Sequence, residues 1–180
     1  MLWLLIAIAV ILAVFFIYFN RFVILENRIS NSLSQIDVQL KRRADLIPNL
    51  IETVKGFVKH EKSAIKAVTD ARKALVTAKG FEGKIKADEK LEKALKTIFA
   101  IAENYPNLKA NENFLELQRE LSATEDKVAY ARQYYNDSIL SYNDLCRALP
   151  GAFFARLYRK KPKEYLKIAE SERKNVKVKF

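Results

Sequence analysis

The chain has 180 residues, half of them hydrophobic and 29% charged, with 32 Lys and Arg against 21 Asp and Glu for a formal net charge of +11. This apolar content excludes a disordered chain, and four Gly with four Pro exclude a collagen-like chain and argue against a turn-dense β-sandwich. One Cys and one His exclude an intramolecular disulfide framework, a Cys-based structural zinc site, an HExxH centre and the paired Glu-x-x-His sites of di-iron bundles.

The first nineteen residues, Met1 to Phe19, carry no charged side chain and are followed at once by Asn20 and Arg21. As a helix rising ~1.5 Å per residue, such a run just crosses ~30 Å of hydrocarbon. Trp3 lies near one end and Phe15, Phe16, Tyr18 and Phe19 crowd the other, as in the aromatic belts of membrane–water boundaries. The rival reading is a cleaved signal peptide, which carries a basic leader, a shorter apolar core and small residues before the cut. Here no Lys or Arg precedes the run and bulky residues close it, so residues 1–20 are expected to be an uncleaved, single-pass transmembrane anchor. Arg21 and Arg28, then Lys41, Arg42 and Arg43, follow the span, whereas only the α-amine precedes it. The positive-inside tendency therefore favours a cell (plasma or inner) membrane protein whose C-terminal domain is cytoplasmic. Two nearby arginines leave the extracytoplasmic placement open.

Beyond the anchor, helical spacing replaces strand alternation almost throughout. Phe22, Leu25, Ile29, Leu33, Ile36 and Leu40 recur every three or four residues, one apolar face of a helix. Around Asp45-Leu46-Ile47-Pro48 the pattern is expected to restart, with Asp45 as N-cap and Pro48 in the first turn, where its missing N–H does no harm. A second segment runs from Leu50 through Val54, Val58, Ile65, Val68 and Leu75 to a turn at Gly80–Gly83. A third starts near Asp88 and stops before Tyr105-Pro106. The fourth begins at Asn113 as N-cap and steps through Phe114, Leu121, Thr124, Val128, Tyr135, Ile139 and Tyr142 until Pro150-Gly151. A short helix is expected after Pro162, then extended or loose residues.

The predicted fold is all-α: an N-terminal transmembrane helix, then an antiparallel four-helix bundle over residues 21–150, then a basic segment over 151–180. If Pro48 only kinks one very long helix, three helices of unequal length result. If the chain reverses there, helices at about 22–44, 48–79, 87–104 and 113–148 have similar lengths and short connections, which favour antiparallel neighbours and make four helices the preferred reading. Turns 45–48 and 105–112 would then be membrane-distal, and residues 149–161 would return to the lipid.

Three stretches carry a family resemblance. Ser34 through Arg43, continuing with Asp45-Leu46-Ile47-Pro48-Asn49-Leu50, Glu52–Phe57 and Lys59-His60-Glu61, closely resembles the LemA family. So do Ala102–Pro106 with Leu108–Phe114, and Glu125 through Tyr135-Asn136 to Tyr142-Asn143. The resemblance implies a bacterial or archaeal single-pass membrane protein with a four-helix soluble domain. It also implies association with a membrane metallopeptidase system of the heat-shock type, and one branch of the family is linked to magnetosome membranes. It carries over no catalytic residue.

The chemistry-bearing residues give little support to catalysis. His60, within Lys59-His60-Glu61-Lys62, has no nucleophile or orienting acid that can be nominated, so an exposed surface role is expected. Cys146 is expected to pack near a helix end. Asp88, Glu89 and Glu92 fit the first turn of a helix, where acids meet the positive end of the dipole. No cofactor, metal or nucleic acid is expected. Arg42, Arg43, Asp45 and Asn49 should instead stand near Asn104, Tyr105, Asn107, Asn111 and Asn113 at one end of the bundle. Capping and turn chemistry explain many such residues, and a docking surface for a protein partner is the further reading. Charge reversal of Arg43 with Asp45 would then abolish partner capture and spare the fold.

Residues 151–180 hold ten Lys or Arg against three Glu. Phe153, Phe154, Arg156, Arg159, Lys160 and Lys161 are candidates for contact with anionic membrane lipids. Core packing of Phe153 and Phe154 is the simpler use. The function expected is a non-catalytic, membrane-anchored scaffold or adaptor that docks a partner through its membrane-distal turns. The alternative is membrane organisation by self-association, as a homo-oligomer, with the basic aromatic segment on the lipid.

Overall fold

The computed structural model describes residues 1–58 and 60–166, which form α-helices and no strand. In chain order these are α1 (Leu2–Phe57), α2 (Lys62–Thr77), α3 (Phe81–Ala102), α4 (Pro106–Lys109), α5 (Glu112–Arg147) and α6 (Gly151–Leu157). The chain divides into two compact units, Leu33–Ala131 and Met1–Ser32 with the chain from Arg132, and α1 and α5 contribute to both.

In the Leu33–Ala131 unit the apolar stripe of α1 never breaks. Ile36, Leu40, Ile47, Leu50 and Val54 are buried, with Arg43 and Ala44 completing the step between Leu40 and Ile47. The reversal expected at Pro48 is absent: Pro48 lies inside α1, and Asp45 is not an N-cap. An interior proline leaves the carbonyl four residues earlier without its N–H donor, part of a cost of about 3 kcal/mol. That carbonyl belongs to Ala44, and Arg72 Nε of α2 donates to it at 2.8 Å. A side chain from another helix thus satisfies the group that Pro48 orphans. The chain reverses later, between the end of α1 at Phe57 and the start of α2 at Lys62.

The remaining helices of this unit follow from their stripes. α2 buries Ala64, Val68, Ala71 and Leu75; α3 buries Ile85, Asp88, Leu91, Leu95, Ile98 and Ala102. Gly80 enters α3 at φ 71°, a left-handed conformation in which Gly is nearly cost-free. Lys84 pairs with Asp37 and Asp88 with Arg43, so α3 climbs in the same direction as α1. Both helices end fourteen residues beyond the Arg43–Asp88 pair, at Phe57 and Ala102. The connections 58–61 and 103–111 therefore lie at the same end of this unit.

In the other unit, Phe22, Ile29, Ile139, Tyr142, Cys146, Phe154 and Ala155 form one core, with Tyr18, Leu25, Tyr135, Leu145 and Tyr158 packed around it. A short helix, α6, precedes Pro162, and residues 161–166 have no helix. The rest of the stretch after Pro162, in which a short helix and then extended or loose residues were expected, lies outside the described residues. α1 is long and apolar enough near its N-terminus to cross a membrane, and none of that stretch is buried within the chain. A core helix of a soluble protein would be covered by its own fold, and this stretch is not.

Candidate functional site

α6 closes on the last turns of the apolar run. Phe154 stacks on Tyr18 with centroids 4.5 Å apart, and Phe15 meets Tyr158 edge-on at 5.1 Å. Phe19 and Phe22 also meet Tyr158 edge-on. The Tyr158 hydroxyl donates to the Phe15 carbonyl at 2.7 Å, which the second lone pair of a helical carbonyl allows. Of the candidate lipid-contacting residues, Phe154 is therefore core. Lys160 is spent on Glu26, reaching both carboxylate oxygens at 2.8 Å. Phe153 (63% exposed), Arg156, Arg159 and Lys161 face outward.

The segment after α6 runs extended along α5, held by two asparagines. Asn143 Nδ2 donates to the Lys163 carbonyl at 2.9 Å, and the Lys163 N–H donates back to Asn143 Oδ1 at 2.8 Å. The Leu166 N–H donates to Asn136 Oδ1 at 2.9 Å, and Asn136 Nδ2 reaches the Leu166 carbonyl at 3.5 Å. The registers match. Seven residues of helix rise about 10.5 Å. Three extended residues cover about 10 Å. Each amide side chain thus imitates a neighbouring strand. Replacing Asn143 with Leu leaves a backbone N–H and carbonyl unpaired, worth about 1–3 kcal/mol locally. Hydrogen exchange at the Lys163 amide is expected to accelerate about tenfold or more, while amides in α3 keep their rates.

Beside this clamp, Tyr142 donates to Glu26 at 3.4 Å, and burial pushes its hydroxyl far above the usual phenol range. Burial likewise raises the Cys146 thiol, so this buried sulfur behaves as an unreactive packing group. His60 is exposed in the α1–α2 connection.

In the Leu33–Ala131 unit the candidate docking residues separate into two sets. Arg43 is 1% exposed, with Nη1 2.8 Å from Asp88 and Nη2 2.8 Å from Glu125. Arg42 is exposed and pairs with Glu120, and Asp45 and Asn49 are exposed on α1. Fourteen helical residues separate Arg43 from the end of α1, about 20 Å. Asn104, Tyr105, Asn107, Asn111 and Asn113 belong to that end, so the structure does not join them to Arg42, Arg43 and Asp45. Asn111 caps α5, accepting from the Phe114 N–H at 3.0 Å, in place of Asn113. Asn104, Asn107 and Asn113 are exposed and Tyr105 is half-buried. Charge reversal at Arg43 would break a buried network, so it cannot separate docking from folding.

A family model described as LemA family matches residues 32–180. The chain belongs to the LemA family. It is also similar to the magnetosome protein MamQ of Magnetospirillum gryphiswaldense, with 26% identity over 173 residues covering 82% of this chain and 64% of MamQ. The chain thus spans slightly under two thirds of the length of that curated relative.

The roles of four residues of this LemA-family chain were missed in the sequence although signals existed. Arg43 and Asp88 both occupy steps of apolar stripes, where an unpaired charge would be untenable. Asp88 lies well past the first turn of α3, which starts at Phe81, so its role is pairing and not the helix dipole. Asn136 and Asn143 each follow a tyrosine at a seven-residue spacing, which places them on one face of α5.

Proposed function

We propose that this LemA-family chain is a single-pass, membrane-anchored, non-catalytic scaffold with its helical part in the cytoplasm. It docks a protein partner at the end of the Leu33–Ala131 unit built from 58–61 and 103–111. A membrane metallopeptidase system is the partner class that the family resemblance suggests. The observation carrying this reading is a set of exposed amides at that end. Asn104, Asn107 and Asn113 spend no side-chain hydrogen bond on the described residues, while Asn111 beside them is used as a cap. Amides held on helix ends offer both donors and acceptors to an approaching surface. Up-and-down packing of α1, α2, α3 and α5 as a four-helix bundle is supported by the ion pairs that join α1 to α3 and α5 and by the Arg72 bond from α2 to α1.

A second reading is membrane organisation by self-association. Exposed Phe153, Arg156, Arg159 and Lys161 next to the end of the apolar run favour it, as does similarity to a magnetosome protein.

One crosslinking experiment separates the two. A photoreactive residue at position 107, in the full chain in its native membranes, is expected to give a discrete adduct with a different protein; one at position 73 on α2 gives none. An adduct only with a second copy supports self-association. No adduct at 107, or equal adducts at both positions, overturns docking at this end.

A further inference from the structure

We propose that a groove beside the end of the apolar run binds the headgroup of one anionic phospholipid. The groove, of about 500 Å³, is lined by Tyr18, Arg21, Leu25 and Arg28 of α1 and by Asp144 and Leu149 among the residues facing them. Its volume is that of a small-molecule site. Three observations name the occupant.

The first is position. Tyr18 belongs to the apolar run and Arg21 is the first charge after it. With the run in a bilayer, the groove opens at headgroup depth.

The second is charge. Arg21 and Arg28 stand two helical turns apart on one side of α1, both exposed. Neither guanidinium has an ion pair or hydrogen bond among the described residues. Every other charged group lining the groove is Asp144, so the lining carries one net positive charge, matching one phosphodiester. Planar guanidinium donors suit phosphate oxygens, and the Asp144 carboxylate can accept from headgroup hydroxyls.

The third is the apolar wall. Leu149 is 86% exposed, and Leu25 and Tyr18 continue the wall toward the uncovered surface of the run, the path an acyl chain would take. Arg156, Arg159 and Lys161, by contrast, do not line this groove. They give at most diffuse attraction to a charged surface.

The inference rests on the run being embedded in lipid, and the experiment reads that premise separately. The full chain, extracted in nonionic detergent, is mixed with phosphatidylglycerol or phosphatidylcholine and weighed by native mass spectrometry. A one-lipid adduct is expected with phosphatidylglycerol, at least tenfold more abundant than with phosphatidylcholine. Arg21→Gln with Arg28→Gln should lower it at least tenfold. Ala148→Trp, which fills the groove and keeps both arginines, should do the same. Arg156→Gln with Arg159→Gln should leave it unchanged. Far-UV circular dichroism checks that each variant keeps its helices. Retention by the Arg21/Arg28 variant, equal retention of the zwitterionic lipid, or displacement by inorganic phosphate at equal concentration overturns the site. Alkaline extraction of membranes tests the premise: a chain that washes off sinks the anchor. A chain that resists extraction but keeps lipid in the double variant sinks only the groove.

Discussion

Arg43→Leu is expected to lower the stability of the Leu33–Ala131 unit by about 3–5 kcal/mol, enough to unfold much of it. The substitution keeps an apolar side chain on the α1 stripe, so packing alone does not produce this loss. What remains is the Asp88 carboxylate, buried on α3, which loses the guanidinium 2.8 Å away. A buried charge that loses a hydrogen-bonded countercharge costs far more than a surface pair gains. Glu125 is partly exposed and tolerates the loss better, since water can replace the arginine. Arg43→Lys should give an intermediate loss, because one ammonium does not reproduce a fork that reaches two carboxylates on two helices. The double variant Arg43→Leu with Asp88→Leu should recover most of the stability, since apolar residues can replace a buried pair at little cost. Urea unfolding of the three variants, followed by circular dichroism at 222 nm, checks the order. A single variant within about 1 kcal/mol of the parent, at the level of an exposed pair, would contradict it.

Gly151→Ala is the second large effect, and it should release α6 from its seat. A Cβ at position 151 would stand 2.2 Å from the Leu145 carbonyl oxygen, a backbone atom that cannot swing away. Either α6 or the end of α5 has to move. α6 contributes Phe154 and Ala155 to its core, so displacement sacrifices up to about 3–5 kcal/mol of aromatic burial. Trypsin cleavage after Arg156 and Arg159 in the full chain is expected to accelerate at least tenfold, because proteolysis follows the population of the opened segment. Gly83→Ala is the matched control. Its new Cβ would meet nothing closer than 3.9 Å inside α3, so it should be neutral or stabilising by about 0.5–1 kcal/mol. Equal cleavage of the Gly151 variant and the parent would show that the segment accommodates the methyl.

The sequence by itself determined the helical class, because Ile36, Leu40, Ile47, Leu50 and Val54 recur at helical spacing regardless of their neighbours. It also determined that Met1 to Phe19 is long and apolar enough to span a membrane, since charge and length are local properties. The turn at Gly80 was readable for the same reason, a local backbone preference. The exposed turn asparagines were readable as polar connections, but which of them cap and which stay free was not. The tertiary structure alone decided where the chain reverses. Pro48 has a strong local tendency to end a helix, and that tendency is overcome by Arg72, twenty-four positions later, bonding the Ala44 carbonyl. With that donor in place α1 continues to Phe57, and the presumed docking cluster splits: Arg43 goes into a buried network and the asparagines to another end. The same holds for Asn136 and Asn143, whose partners are backbone groups of a segment that composition marks only as basic. Local signals specify elements; the fate of a single proline or charge depends on which distant donor or acceptor folding brings within hydrogen-bond reach.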